Sequence, residues 1–255
     1  MFSRTMIFFY GLASYLLTLG VFVYGMGFIA GIAVPTSLDA APSKPLGTAL
    51  AIDLGLLSVF AVQHSGMARP AFKRWWTRIV PEPAERATYV LLSSILMILL
   101  YACWQPIGGV VWSVDSEIGR DATLALYLSG WLLLVYTTFL IDHFDLFGLK
   151  QVWRQLRGKP YIPPQFHTPS LYRLVRHPLY IGWLTIFWAA PVMTAAHLVF
   201  AVVTTLYILV AIRFEERDLM DAFGDDYLRY RGQTGMLLPK LAASKAPEQL
   251  RAAED

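Results

Sequence analysis

The sequence predicts an all-α protein, a polytopic membrane helix bundle with five to six transmembrane helices and a C-terminal helical hairpin. Three observations carry that prediction. Of 255 residues, 56% are hydrophobic and 15% charged, where a soluble domain carries roughly 25% charged residues. Mean hydropathy is +0.49. The charges are bunched between apolar runs of about 20 residues, the length that crosses a hydrocarbon core. The formal charge of +3 therefore bears on topology and gives no sign of a nucleic-acid partner; the bilayer is the expected surrounding.

The runs follow in order. Met6–Val34 is long, and a Pro-rich turn from Val34-Pro35 to Lys44-Pro45 separates it from Leu46–Gly66. Ala87–Ile107 and Ala122–Ile141 are each close to one span. The stretch Pro178–Arg213 holds the last two runs, as two short passes or one deep hairpin. Pro191 with Thr194 gives the break, because proline lacks the donor that a helix interior needs. The competing arrangement is one long kinked helix projecting from the membrane.

Basic residues set the orientation. Loop 67–86 holds Arg69, Lys73, Arg74, Arg78 and Arg86, and loop 142–177 holds Lys150, Arg154, Arg157, Lys159, Arg173 and Arg176. Both belong in the cytoplasm. Connections 35–45 and 108–121 offer only Lys44 and Arg120, so they face outward and both termini fall inside a multi-pass protein of the cell inner membrane. The first apolar run is too long for a cleavable signal and no small-residue cleavage site closes it. The single cysteine, Cys103, removes a disulfide framework and a cysteine-based metal site; no metal is expected. Functionally the chain divides into a four-helix half over 1–141, a cytoplasm-facing half over 142–240, and a tail over 241–255 that lacks an apolar stripe and is expected to be disordered. The oligomeric state is left open.

Chemistry concentrates in the second half. In Tyr172-Arg173-Leu174-Val175-Arg176-His177-Pro178-Leu179-Tyr180-Ile181-Gly182-Trp183, Pro178 suits a first helical turn and drives His177 out of helical conformation. His177 thus sits at the mouth of a span. At the far end lies Arg213-Phe214-Glu215-Glu216-Arg217-Asp218-Leu219. Folding back at Pro191 brings residues 176–180 and 213–216 to one level. Either motif alone reads as a headgroup anchor or a solvated cap; both together, with Tyr227 and Tyr230 one turn apart, read as a site. In the first half, Asp53 and His64 lie three turns apart on one face. Asp53 is either an intramembrane functional acid or a group reaching the outer interface.

Arg176 through Gly182, then Glu215-Glu216, Leu219, Phe223-Gly224, Tyr227, Tyr230 and Leu238-Pro239, resembles the C-terminal pattern of the isoprenylcysteine carboxyl methyltransferase and phospholipid methyltransferase group. Asp142-His143-Phe144-Asp145-Leu146-Phe147-Gly148-Leu149-Lys150-Gln151-Val152 and Phe187 through His197-Leu198 are similar to the bacterial membrane methanethiol S-methyltransferases, as is the N-terminal half. That resemblance implies methyl transfer from S-adenosylmethionine to methanethiol, giving dimethyl sulfide. Gln63-His64-Ser65 and Glu85 through Val90 are similar to the NnrU-type membrane family, which includes the haem-dependent zeta-carotene isomerase. There His64 is either a haem ligand or a hydrogen-bonded structural residue. The competing functions are thus methylation of a lipid or isoprenylcysteine-type acceptor, and haem binding.

By resemblance to the carboxyl methyltransferases, Gln165, Phe166, Tyr172, His177, Pro178, Leu179, Tyr180 and Glu215 are expected to hold the cofactor, with Arg176 and Glu216 grouped beside them. The chemistry suits the residues. Methyl transfer is an in-line displacement that gains from positioning and exclusion of water; aromatic faces attract a cation; carboxylates accept from amino and hydroxyl groups. A small volatile thiol must lose its proton, since the thiolate is the nucleophile. His143 is the expected base, with Asp142 orienting it or taking the proton itself, unless the pair merely ends a helix. Arg213 either stabilises the thiolate or pairs with Glu215 or Glu216.

Overall fold

The computed structural model describes residues 3–163 and 165–240; the expected disordered tail lies outside the described residues. Among the described residues, five helices are long and apolar enough to cross a membrane: α1 (Arg4–Ala30), α2 (Leu46–Ala68), α4 (Glu82–Cys103), α5 (Glu117–Ile141) and α9 (Ala195–Gln233), the last apolar as far as Phe223. The protein is an all-α membrane bundle. Short helices α3 (Pro70–Trp76), α6 (His143–Leu146) and α7 (Leu149–Leu156) follow α2 and α5.

Local chemistry sets the helix ends. Ser3 starts α1 by accepting from the Met6 amide, and Gly31, at φ 67°, ends it three residues before the expected Val34. Ser116 caps α5 in the same way through the Gly119 amide, starting the fourth span earlier than its apolar run alone implies. The expected break at Pro191 is present. α8 (Pro178–Trp188) stops, strand β2 (Val192–Thr194) intervenes, and α9 begins. A single kinked helix is thereby ruled out. α8 has 11 residues and rises roughly 16 Å, about half of a hydrocarbon core.

β2 pairs antiparallel with β1 (Val110–Ser113) from the loop before α5, a two-stranded element too short and irregular to read from the sequence. At this strand-bearing end Thr194 Oγ1 donates to Asp39 Oδ1, while His197 Nδ1 lies 3.1 Å from Asp39 Oδ2 and its Nε2 3.1 Å from the Phe187 carbonyl. The loop between α1 and α2 is thus fastened over the hairpin tip. Asp53 is buried within the protein, level with the end of α4, and its Oδ1 accepts from the Gln105 amide at 2.8 Å, satisfying the chain as it leaves that helix.

The opposite end carries the basic loops. There α7 packs on α1, with Val152 against Gly11, and Ile7, Ala84 and Ala87 close around it. Deeper in the bundle α8 lies against α5 at two glycines. A Cβ on Gly182 would stand 3.0 Å from the Leu134 amide nitrogen and 3.1 Å from the Gly130 carbonyl, so backbone meets backbone. That contact fixes where His177 sits.

Candidate active site

Pro178 opens α8 with His177 in a non-helical conformation, φ −128° and ψ 60°. His177 is buried, and its Nε2 lies 3.1 Å from Glu216 Oε1 on α9; its Nδ1 stands 3.8 Å from Glu215 Oε2. Tyr180, one turn into α8, donates to Glu215 Oε2 at 3.0 Å. The two ends of the hairpin do meet. The structure also separates the adjacent acids, which the sequence could not. Glu216 Oε1 takes Arg176 Nε and Nη2, both at 2.7 Å, and Oε2 takes Arg231 Nε at 3.3 Å. Glu216 is saturated, whereas the Glu215 side chain is 44% exposed. Arg176 is equally committed, since its Nη1 also donates to the Thr234 carbonyl. Arg176 and Glu216 hold the site's shape and leave Glu215 as the open carboxylate.

The second wall comes from a reversal in α9. Gly224 has φ 52° and ψ −127°, a conformation that only glycine adopts without strain. Beyond it the chain turns back. Phe166 is enclosed by Phe223, Tyr227 and Tyr230 at ring separations of 5.2, 6.0 and 5.6 Å, and Tyr230 donates to the Tyr172 carbonyl at 2.6 Å. The returning strand-like segment accepts from the site: Arg176 N bonds the Gly235 carbonyl and His177 N the Met236 carbonyl. Burial, reinforced by the Glu215 charge, pushes the Tyr172 hydroxyl up, and burial raises Tyr230 to about 12. Both stay neutral at physiological pH.

These residues suit a cationic ligand bearing amino and hydroxyl groups. Glu215 is open to accept, aromatic faces are grouped, and the Tyr227 hydroxyl is buried without a partner among the described residues. Of the remaining expected residues, Pro178 is buried at the helix start, Leu179 packs against the main core, and Gln165 is exposed. Arg231 and Thr234 were not singled out in the sequence. Gly224 was the available clue, since a glycine inside a polar helix invites a turn.

His143, Asp142 and Arg213 lie differently. Thr138 Oγ1 is 2.8 Å from His143 Nδ1 and the Tyr15 hydroxyl 2.9 Å from Nε2, with Phe139 stacked on the ring at 4.3 Å. Both nitrogens are engaged. Asp142 makes no hydrogen bond to that ring among the described residues; it caps α6 through the Asp145 amide and pairs with Lys150. Arg213 is exposed and joins neither Glu215 nor Glu216; the basic side chains that contact them are Arg176, Arg231 and His177. His64 is hydrogen-bonded to Tyr89 and Ser93.

Residues 123–226 match the family described as phospholipid methyltransferase. The chain is 51% identical over 237 residues to the methanethiol S-methyltransferase of Crocosphaera subtropica, with 93% of each chain covered. It is 52% identical over 230 residues to that of Mycobacterium tuberculosis, covering 90% of this chain and 94% of the other. Nurim of Sus scrofa is 31% identical over 191 residues, 71% of this chain and 72% of its own. No solved structure matches the chain.

Proposed function

Since the chain belongs to the methanethiol S-methyltransferase family, we propose that it transfers a methyl group from S-adenosylmethionine to methanethiol, giving dimethyl sulfide. The observation that carries the reading is the meeting of Tyr180 with Glu215 across the hairpin mouth, beside the buried His177–Glu216–Arg176 cluster. When bound, S-adenosylmethionine supplies an electrophilic sulfonium methyl.

The chain's own residues then have distinct tasks. Glu215 accepts from the cofactor's polar groups, strengthened by its charge. Phe166, Tyr172 and Tyr227 present ring faces to a cation. The segment past Gly224 closes over the mouth and keeps water from the reacting atoms. Pro178 and Leu179 set the start of α8, and Gln165 lies at the rim. The half over 142–240 handles the cofactor, and the half over 1–141 frames the acceptor.

The basic end faces the cytoplasm in this reading, with both termini inside and the protein in the inner membrane. Loops 67–86 and 142–177 obey the positive-inside rule, and a charged cofactor made in the cytosol must enter there. Binding of S-adenosylmethionine by titration calorimetry, in Glu215→Gln and Tyr180→Phe proteins, tests the site. Both should bind at least about tenfold more weakly, the loss of a charge-assisted bond of about 1.5–3 kcal/mol. Unchanged affinity in both removes the assignment. Incubating the protein with labelled S-adenosylmethionine and a panel of thiols tests the reaction.

A further inference from the structure

A second buried polar group lies inside the bundle, between α2 and α4. Gln63 Nε2 donates to Met67 Sδ at 3.1 Å, which turns its Oε1 toward Ser93; the Ser93 hydroxyl donates to that oxygen at 3.2 Å. A serine has one hydroxyl hydrogen. The 3.1 Å contact between Ser93 Oγ and His64 Nδ1 must therefore be Nδ1–H donating. His64 is held as the tautomer whose Nε2 is the acceptor, and the Tyr89 hydroxyl, 2.9 Å from Nε2 and 3.1 Å from Nδ1, donates to it. Phe60 stacks on the imidazole at 5.1 Å and stiffens it.

The chain points at the cofactor site. Tyr207 of α9 is tied to the His64 helix through Ser65 at 3.0 Å, and Arg69, which ends that helix, lies 5.5 Å from the ring centre of Phe214, the neighbour of the Glu215 that binds Tyr180. His143 has the same arrangement, with Thr138 on Nδ1 and Tyr15 on Nε2, but no hydrogen bond among the described residues ties it to Tyr180 or Glu215.

We propose that the Gln63–Ser93–His64–Tyr89 chain takes the proton of the acceptor thiol. The proposal rests on the thiol-methylation reading above. The thiol S–H bond breaks with its electron pair left on sulfur, and Tyr89 oxygen receives the proton as its own passes to His64 Nε2. The sulfur pair forms the new S–CH3 bond while the donor's S–C pair returns to the donor sulfur, and His64 afterwards releases the proton to water. Charged neighbours shape this step. The Arg86 guanidinium of α4 lies 5.0 Å from the Tyr89 ring centre, opposing the charge gained at His64 and favouring that gained at sulfur. Glu85 on α4, Arg69 at the end of α2 and Tyr207 on α9 also lie within electrostatic reach of Tyr89.

The test compares wild-type protein with His64→Gln and Tyr89→Phe, the latter removing a single oxygen. Turnover is measured against pH with methanethiol and with the more acidic 2,2,2-trifluoroethanethiol, and S-adenosylmethionine affinity is measured by calorimetry. Both variants should lose about 100-fold in methanethiol turnover, the scale of a general base. The deficit should shrink at high pH and with the acidic thiol, while cofactor affinity stays within about twofold, as a transition-state interaction requires. An equal deficit for both thiols at every pH, or full activity in both variants, overturns the relay. A wild-type protein that methylates no thiol removes the reading beneath it instead.

Discussion

Arg231 and Glu216 stand fifteen positions apart in what is nominally one helix, yet Arg231 Nε lies 3.3 Å from Glu216 Oε2. A continuous helix would hold them roughly 22 Å apart. The difference is made at Gly224, whose φ of 52° and ψ of −127° reverse the chain. A Cβ there would meet nothing within 4 Å, so substitution costs backbone strain and no clash. Gly224→Ala should destabilise the protein by about 1–3 kcal/mol and weaken S-adenosylmethionine binding by at least about tenfold. Melting in detergent and calorimetry check both, and normal binding would mean that the reversal does not build the site.

The adjacent acids should separate in experiment. Glu216→Ala strands the Arg176 guanidinium, only 9% exposed, and should cost about 3–5 kcal/mol of stability. Glu215→Ala should leave the melting temperature close to that of the parent and weaken the cofactor. Equal melting temperatures for the two variants would contradict the division of labour.

Gly182, inside the pattern shared with the carboxyl methyltransferases, is there for packing. An added methyl would meet the Leu134 amide and the Gly130 carbonyl. Gly182→Ala should therefore cost about 1–3 kcal/mol through overpacking, read as a lower melting temperature at unchanged thiol specificity. A changed product spectrum at normal stability would give Gly182 a substrate-facing role.

His143 should report on stability. Burial holds its imidazole below the ordinary histidine range, opposed in part by the Asp142 charge. The fold thus favours neutral imidazole. Its contribution is complete above the unfolded value of about 6.5 and is lost as pH falls through the lower folded value. Between pH 7 and 5 the melting temperature of wild type should fall more steeply than that of His143→Gln. Identical slopes would show that His143 is not linked to folding, and collapse of the variant's pH–turnover profile would restore it as a base.

The sequence by itself determined the class of protein, because bilayer thickness demands runs of about 20 mostly apolar residues, and Ala122 to Ile141 carries no charged residue while Leu46 to Gly66 carries one acid, Asp53. It also determined the hairpin, since Pro191 cannot continue a helix, and the pairing of residues 176–180 with 213–216 that follows from folding there. Only the tertiary structure decided which of two neighbouring glutamates stays open, because both lie on one helix end and differ in whether Arg176 and Arg231 reach them. The same holds for the histidines. Proton acceptance depends on which nitrogen is free, and that is set for His143 by Thr138 and Tyr15 and for His64 by Ser93 and Tyr89. Those partners come from helices far apart in the chain, at distances that no local pattern encodes.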